Sequence, residues 1–240
     1  MSGHSKWANI KRKKEATDVK RANIFSRLGK EITIAVRAGG SDPYSNNKLR
    51  DVISKAKSNN MPNDNINRCI QKAAGDTSGA SYEEIIYEGF GPAGISVIVE
   101  AMTDNKNRAA ADIRSIFNKA GGNMGQTGSV SYMFHKKGII IIERNDNVSE
   151  DDLMMEALEN GAEDFISEDE YYEVKVSADD FYRLKEYFEN KGYILVDAEI
   201  KMIADIKKEL TEEEEEKLQN FLDKLDDNDD VQNVWHNADY

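Results

Sequence analysis

"GIIIIERNDNVSEDDLMMEALENGAEDFISEDEYYEVKVSADDFYRLKEYFENKGYILVDAEIKMIA", residues 138–204, switches repeatedly between the two hydrophobic periods that distinguish strands from helices. Four runs have strand-like composition, and helical spacing fills the intervals after the first and the third of them. The strand-like runs are 138–143, 163–168, 171–177 and 193–204. The resulting order, strand–helix–strand–strand–helix–strand, is typical of a ferredoxin-like antiparallel sheet.

The chain on either side of this segment carries the parts of a second α/β unit. Upstream, two strand-like runs and a helix are followed by "SVSYMF" (residues 129–134), which the alternation predicts to be a strand. Downstream, a helix that opens with a Thr211–Glu214 capping box precedes a last predicted strand, residues 231–238. The upstream part lacks a helix–strand pair, and the tail supplies one.

The simplest assembly of these parts is an insertion of one domain within another. The predicted bounds are 1–77 for a basic helical nucleic-acid-binding domain, 78–136 plus 207–240 for an α/β domain, and 137–206 for an inserted ferredoxin-like domain. The predicted class is therefore α+β. A small N-terminal helical bundle is followed by two α/β domains with antiparallel, ferredoxin-like sheets, the third inserted within the second.

Charge is divided sharply along the chain, whose formal net charge is −13. Residues 1–75 hold 16 Lys and Arg against 6 Asp and Glu, whereas residues 76–240 hold 16 against 39. This asymmetry favours a module that binds a polyanion, followed by a remainder that a polyanion repels. The alternative is that the basic part docks on the acidic part of its own or a neighbouring chain.

The N-terminal segment carries the candidate nucleic-acid contacts. Lysine and arginine bind phosphates with release of counterions, and an aromatic ring can stack on an unpaired base. Trp7 could instead pin the arm to the bundle, and His4 could be a solvated residue. On the first predicted helix the cations lie opposite the buried stripe that contains Leu28 and Ile32. The candidates are His4, Lys6, Trp7, Lys11, Arg12, Lys13, Lys14, Lys20, Arg21, Arg27, Lys30 and Arg37.

The opening sequence "MSGHSKWANIKRKKEATDVKRANIFSRLGKEI" resembles the start of YebC-family proteins, which include the mitochondrial translational activator of cytochrome oxidase. The resemblance continues through "AGGSDPYSNNKLRDVISKAKSNNMPNDNINRCIQKA" and returns in "DVQNVWHNAD" at the end. It implies three domains and a probable DNA-binding role in transcription. It also implies an alternative, a ribosome-associated translation factor that binds ribosomal RNA and relieves stalling at proline-rich stretches.

The glycine-rich run "AGGNMGQTGS" (residues 120–129) does not meet the requirements of a phosphate loop. A phosphate loop follows a strand, precedes a helix and ends in Lys-Ser/Thr, whereas this run is predicted to follow a helix. We expect a mobile surface loop that makes a secondary contact with nucleic acid. The alternative is a helix start and a turn without a partner. The candidate secondary contacts are Lys106, Arg108, Asn123 and Gln126.

No catalytic constellation stands out, so we predict a non-enzymatic protein without a catalytic residue, a metal or a cofactor. The three histidines lie in separate segments without zinc-site spacing, and Cys69 lies on an inward helix face. Two other classes stay open: a metal-dependent phosphate-handling enzyme built on clustered acids, which is the less favoured, and a purely protein-binding adaptor.

The expected setting is the cytoplasm. One cysteine excludes an internal disulfide framework, and no apolar run approaches the roughly 20 residues that span a bilayer. The first residues also lack the apolar core of a signal peptide. We expect DNA or ribosomal RNA, the latter on the ribosome, as partner and no membrane. A monomer is favoured.

Overall fold

The computed structural model describes residue 7, residues 18–75 and residues 82–239. Its first unit is a bundle of three helices, α1 (Asp18–Gly39), α2 (Asn47–Ser58) and α3 (Asn63–Gly75). One face of each helix is apolar and meets the others in a core that includes Leu28, Ile32, Leu49, Val52 and Ile66. Within the described parts of the chain, no helix combines the length and the apolar composition needed to cross a membrane.

Asn46 holds the turn between α1 and α2. Its buried side chain donates to the carbonyls of Ala35 and Gly40, both at 2.8 Å, and accepts from the Leu49 N–H at 3.0 Å as the N-cap of α2. A Cβ on Gly39 would lie 2.8 Å from this amide. Glycine therefore allows the end of α1 to come close to the residue that caps α2.

Replacement of Asn46 by alanine should destabilise the bundle by about 2 kcal/mol, because a helix cap is lost and two carbonyls lose their donor. The measurement is the free energy of unfolding in urea. Asn59→Ala is the matched control, since Asn59 is an exposed residue that ends α2. Equal losses for the two variants would contradict the role assigned to Asn46.

The second unit is a four-stranded antiparallel sheet covered by two helices. Its chain order is β1 (Glu83–Phe90), β2 (Ser96–Thr103), α4 (Lys106–Lys119) and the short β3 (Asn123–Met124). From the tail come α7 (Glu212–Asp226) and β9 (Val231–His236), and the strand order is β3-β1-β2-β9. The Phe117 ring of α4 meets Phe221 of α7 edge-on at 5.0 Å. The tail thus completes this sheet, as the missing helix–strand pair predicted.

The third unit lies between those two parts in the sequence. It contains β4 (Phe134–Glu143), α5 (Glu150–Glu159), β5 (Ala162–Ser167), β6 (Tyr171–Ser177), α6 (Phe181–Lys191) and β7 (Leu195–Ala204). Its strands are antiparallel in the order β5-β6-β4-β7, the ferredoxin-like arrangement. The predicted α+β class, with the third unit inserted within the second, is confirmed. Two short strands, β8 (Lys208–Glu209) and β10 (Ala238–Asp239), pair beside the second unit.

Two sequence predictions differ from the observed elements. Residues 129–134 do not form the predicted strand, because Ser131–Met133 is a 3-10 turn and Asn123–Met124 pairs with β1 instead. The backbone N–H groups of Val130 and Ser131 bind the Glu88 carboxylate rather than a neighbouring strand. β4 also begins at Phe134, ahead of the predicted start at 138. The predicted flexible linker lies almost wholly outside the described residues, and the exact domain bounds stay a prediction.

Candidate nucleic-acid interface

Seven of the twelve predicted N-terminal contacts have side chains outside the described residues. His4, Lys6, Lys11, Arg12, Lys13 and Lys14 lie outside the described residues, as does the side chain of Lys20. Arg21 and Arg37 lie on α1 and are exposed, and each has a partner within the molecule.

Trp7 is packed inside the molecule rather than displayed. Its side chain is 5% exposed, and its ring stacks on Tyr171 of β6 with centroids 5.3 Å apart and planes 10° from parallel. Ile139 and Ile141 of β4 complete the cluster. Trp7 therefore packs against the protein, as the alternative to base stacking predicted. The surface that it contacts is the sheet of the third unit and not the bundle. In this arrangement the indole face is not available to a base.

Arg27 and Lys30 are paired within the chain, at the end of α7 and the turn after it. Arg27 binds the carboxylate of Asp226 at 2.8 Å and also donates to the Asp226 carbonyl. Lys30 donates to the Asp229 carbonyl at 2.5 Å and to the Asp230 carboxylate at 3.3 Å. Both cations therefore follow the alternative in which the basic part of the chain docks on its own acidic part. Either cation can contact nucleic acid only if its ion pair opens. The prediction that both lie on an outward face of α1, open to a ligand, is therefore corrected.

Asp230 joins the bundle to the second unit. Its side chain is 7% exposed and accepts from Arg108 of α4 at 2.9 Å as well as from Lys30. Burial alone would raise the pKa of this carboxyl, but the Arg108 hydrogen bond and the charge of Lys30 hold it below its usual value. Around the three residues lies an open cleft of about 630 Å³ whose lining also includes Asp104, Asp112, Asp227 and Asp229. Five aspartates against two cations make this cleft unsuitable for phosphate.

The secondary contacts divide into two pairs. Lys106 forms a 2.5 Å ion pair with Glu83, and Arg108 is held by Asp104 and Asp230. Both cations therefore form ion pairs within the second unit. This agrees with the alternative in which the segment is a helix start without a nucleic-acid partner. Asn123 and Gln126 are exposed along the glycine-rich run.

The glycine-rich loop is anchored by Glu88, which is 3% exposed. Its carboxylate accepts three backbone N–H groups, from Gly128 at 2.8 Å, Val130 at 2.9 Å and Ser131 at 2.8 Å. Burial would raise the pKa of Glu88, but the three N–H donors together hold it below its usual value. The expected mobile loop is thus fixed at its C-terminal end, and no local sequence pattern indicates this anchor.

The Glu88→Gln variant should lose about 2 kcal/mol of unfolding free energy near pH 7, because a neutral amide cannot accept all three bonds with charge assistance. Since the folded-state pKa of Glu88 is lowered, its contribution is complete above the unfolded-state pKa and disappears as pH falls through the folded-state value. Urea unfolding between pH 3 and 7 checks both statements. The exposed Glu84→Gln should cost less than about 0.5 kcal/mol, and a pH-independent difference for Glu88→Gln would contradict the anchor.

Sequence reasoning missed a set of cations on α2 and α3, because it examined only the inward faces of these helices. Four of these cations are exposed and form no ion pair with an acid within residues 18–75 and 82–239. They are Arg50, Lys57, Arg68 and Lys72. The available signal was their helical spacing. Arg68 and Lys72 lie four residues apart on one face of α3, while Arg50 and Lys57 lie seven apart on α2.

The groups suited to acid–base or metal chemistry are dispersed. His135 lies 2.7 Å from Asp205 at the surface, whereas His236 is partly buried, and its desolvation lowers its pKa to about 4. Burial also raises the pKa of the half-buried Cys69 thiol, which keeps it protonated. In the part of the chain that the structure describes, no group of three or more His, Cys, Asp or Glu side chains is placed to hold a metal ion.

Comparison with known proteins covers nearly the whole chain. The TACO1/YebC protein N-terminal domain matches residues 5–76, and the TACO1/YebC second and third domain matches residues 82–238. A probable transcriptional regulatory protein of Acetivibrio thermocellus is 54% identical over 99% of this chain and 98% of its own. A probable transcriptional regulatory protein of Hathewaya histolytica is 55% identical over 100% of this chain and 98% of its own.

A solved structure supports the same relationship. The crystal structure of a conserved hypothetical protein from Aquifex aeolicus is 40% identical in sequence, with a TM-score of 0.80. The alignment covers 92% of this chain and 91% of the other. The agreement therefore extends across all three units and is not limited to one of them.

Proposed function

Because the chain belongs to the TACO1/YebC family, we propose that it is a nucleic-acid-binding regulator of transcription that acts without catalysing a reaction. Relatives that cover almost its full length carry the name probable transcriptional regulatory protein. DNA binding by this chain is the finer part of the proposal and rests on its own charges.

The observation that carries the proposal is the separation of charge between structural units. The bundle, residues 18–75, holds 11 Lys and Arg against 5 Asp and Glu, whereas residues 82–239 hold 16 against 38. A phosphodiester chain is attracted to the first unit and repelled by the other two. Binding is thus oriented, with the bundle and the arm before it towards the nucleic acid.

The cations of the proposed interface come from two sources. The arm supplies Lys6 and residues 11–14, and the outer faces of α2 and α3 supply Arg50, Lys57, Arg68 and Lys72. Lysine and arginine on helix surfaces bind the backbone and carry little sequence information. Asn123 and Gln126, on the loop that Glu88 anchors, form the secondary contact. We place this activity in the cytoplasm and assign it to a monomer with the domain bounds 1–77, 78–136 plus 207–240, and 137–206.

Structured RNA on the ribosome is the second candidate target. The observation that favours it is the distribution of the cations over the surfaces of several helices, which suits recognition of a backbone shape rather than base edges. In that case the protein would act in translation, including relief of stalling at proline-rich stretches.

The deciding experiment compares binding of the full chain to duplex promoter DNA and to purified ribosomes, side by side at physiological salt. Tight binding to DNA that weakens steeply with salt supports the transcriptional proposal. Preference for ribosomes at the same salt supports the second candidate. Binding to neither would overturn both, and indifference of its cellular complexes to nuclease treatment would favour an adaptor that binds only protein.

A further inference from the structure

We propose that Tyr44 and the outward stripe of α2 form a site for single-stranded nucleic acid, in which an unpaired base stacks on the tyrosine ring. This inference rests on the proposed function and deepens it, because it names the form of nucleic acid that the bundle recognises. In this site the phosphates of the nucleic acid contact Arg50 and Lys57, which lie on α2.

Tyr44 is the most exposed large apolar side chain in the described parts of the chain, at 94%. An aromatic ring left in water contributes almost nothing to folding through burial, so packing does not explain its position. Tyrosine in this setting offers a flat face on which any base can stack. Its exposure therefore points to a ligand that covers the ring.

The turn that carries Tyr44 is fixed by a network of hydrogen bonds. The Asp42 carboxylate accepts from the Tyr44 N–H at 3.0 Å, and the Asp42 carbonyl accepts from the Asn46 N–H at 3.0 Å and from the Ser45 hydroxyl at 3.2 Å. Pro43 restricts the backbone further. The buried Asn46 side chain then ties the turn to α1 and α2. The backbone under the ring is preorganised, which reduces the entropy lost when a base binds.

The stripe on α2 begins where this turn ends. Asn47, Arg50, Ser54 and Lys57 follow the three- and four-residue spacing of one helix face, and all four are exposed. Arg50 and Lys57 are about 10 Å apart along the helix axis, a length that a few nucleotides of one strand can span. We expect a short strand to contact both cations while one of its bases covers Tyr44.

Unpaired bases are required because the faces of bases in a duplex are already stacked on their neighbours. Duplex DNA or RNA can bind the cations but leaves Tyr44 without a partner. The stacked base thus adds affinity for single strands alone. DNA and RNA both offer this chemistry, and the experiment includes both.

The test measures fluorescence anisotropy of labelled 12-nucleotide single strands of RNA and DNA, and of the matching duplexes, with the full chain. Tyr44→Ala should weaken single-strand binding about 5- to 100-fold and leave duplex binding unchanged. Tyr44→Phe, which keeps the ring, should stay within about twofold of the unsubstituted protein. Arg50→Gln should weaken both forms and lower the salt slope for single strands by about 0.7. Unchanged thermal melting confirms that the variants fold.

Three results would overturn the inference. They are unchanged single-strand binding by Tyr44→Ala, equal losses for single strands and duplexes, or a Tyr44→Phe variant as weak as Tyr44→Ala. If the unsubstituted protein binds duplexes but shows no binding to single strands, the proposed function survives and this site does not. If it binds no nucleic acid of either form, both fail.

Discussion

Reversal of the four consecutive cations Lys11, Arg12, Lys13 and Lys14 to glutamate should reduce the affinity of the chain for duplex DNA on the order of a thousandfold at 0.1 M salt. Each phosphate contact on a duplex contributes a slope of about 0.9 in a plot of log affinity against log salt. Between 1 M and 0.1 M salt one contact is therefore worth roughly eightfold, and four contacts together are worth roughly four thousandfold, which has the order of magnitude of the stated loss. The slope itself should fall by about 3.6.

A matched control separates local contact from overall charge. Lys136, Lys207, Lys217 and Lys224 are exposed in the acidic units, and their reversal to glutamate changes the net charge by the same amount. Because these residues lie away from the proposed interface, their reversal should cost less than about tenfold. Thermal melting should be close to that of the unsubstituted chain for both quadruple variants. Equal losses of affinity would show that total charge, and not the arm, governs binding.

The Asp230→Asn variant should lose about 3 kcal/mol of unfolding free energy at pH 7. Lys30, whose side chain is 13% exposed, would keep its charge in a largely buried position without its counter-ion, and Arg108 would lose one of its two carboxylate partners. Urea unfolding gives the value. A double-mutant cycle with Lys30→Met should return a coupling of 1 kcal/mol or more, as a rough lower bound.

The pH dependence of this junction has a definite sign. The folded-state pKa of Asp230 lies below its unfolded-state value, so its contribution is complete above the unfolded-state pKa. It disappears as pH falls through the lowered folded-state value. The difference in unfolding free energy between the unsubstituted chain and Asp230→Asn should therefore approach zero at acidic pH. Asp227→Asn alters an exposed carboxylate of the same turn and should cost less than about 0.5 kcal/mol, and a loss as large as that of Asp230→Asn would contradict the junction.

The sequence predicted those parts of the fold that local periodicity determines. The order of strands and helices in residues 138–204 indicated the ferredoxin-like sheet, and the surplus helix and strand of the tail indicated that the tail completes the second unit. The structure adds that β9 pairs with β2. The Thr211–Glu214 capping box is present as predicted. Each of these features depends on residues close in sequence or on the need to complete a sheet.

The features that sequence reasoning missed depend on contacts between distant parts of the chain. Glu88 alternates with apolar residues as an outward strand residue would, and only the folded loop supplies the three N–H groups that bury it. Trp7 and Tyr171 meet across units, and nothing near either residue predicts the other. Lys30 fits the outward stripe of an isolated helix, yet Asp230 covers it in the folded chain.

The central claim is that the basic N-terminal unit binds the phosphodiester chain while the acidic units remain clear of it. Photo-crosslinking of the full chain to labelled DNA and RNA, followed by identification of the crosslinked peptides, tests this claim most directly. We expect the crosslinks to fall within residues 1–75, with any second group confined to residues 123–128. Crosslinks concentrated in residues 138–239 would contradict it.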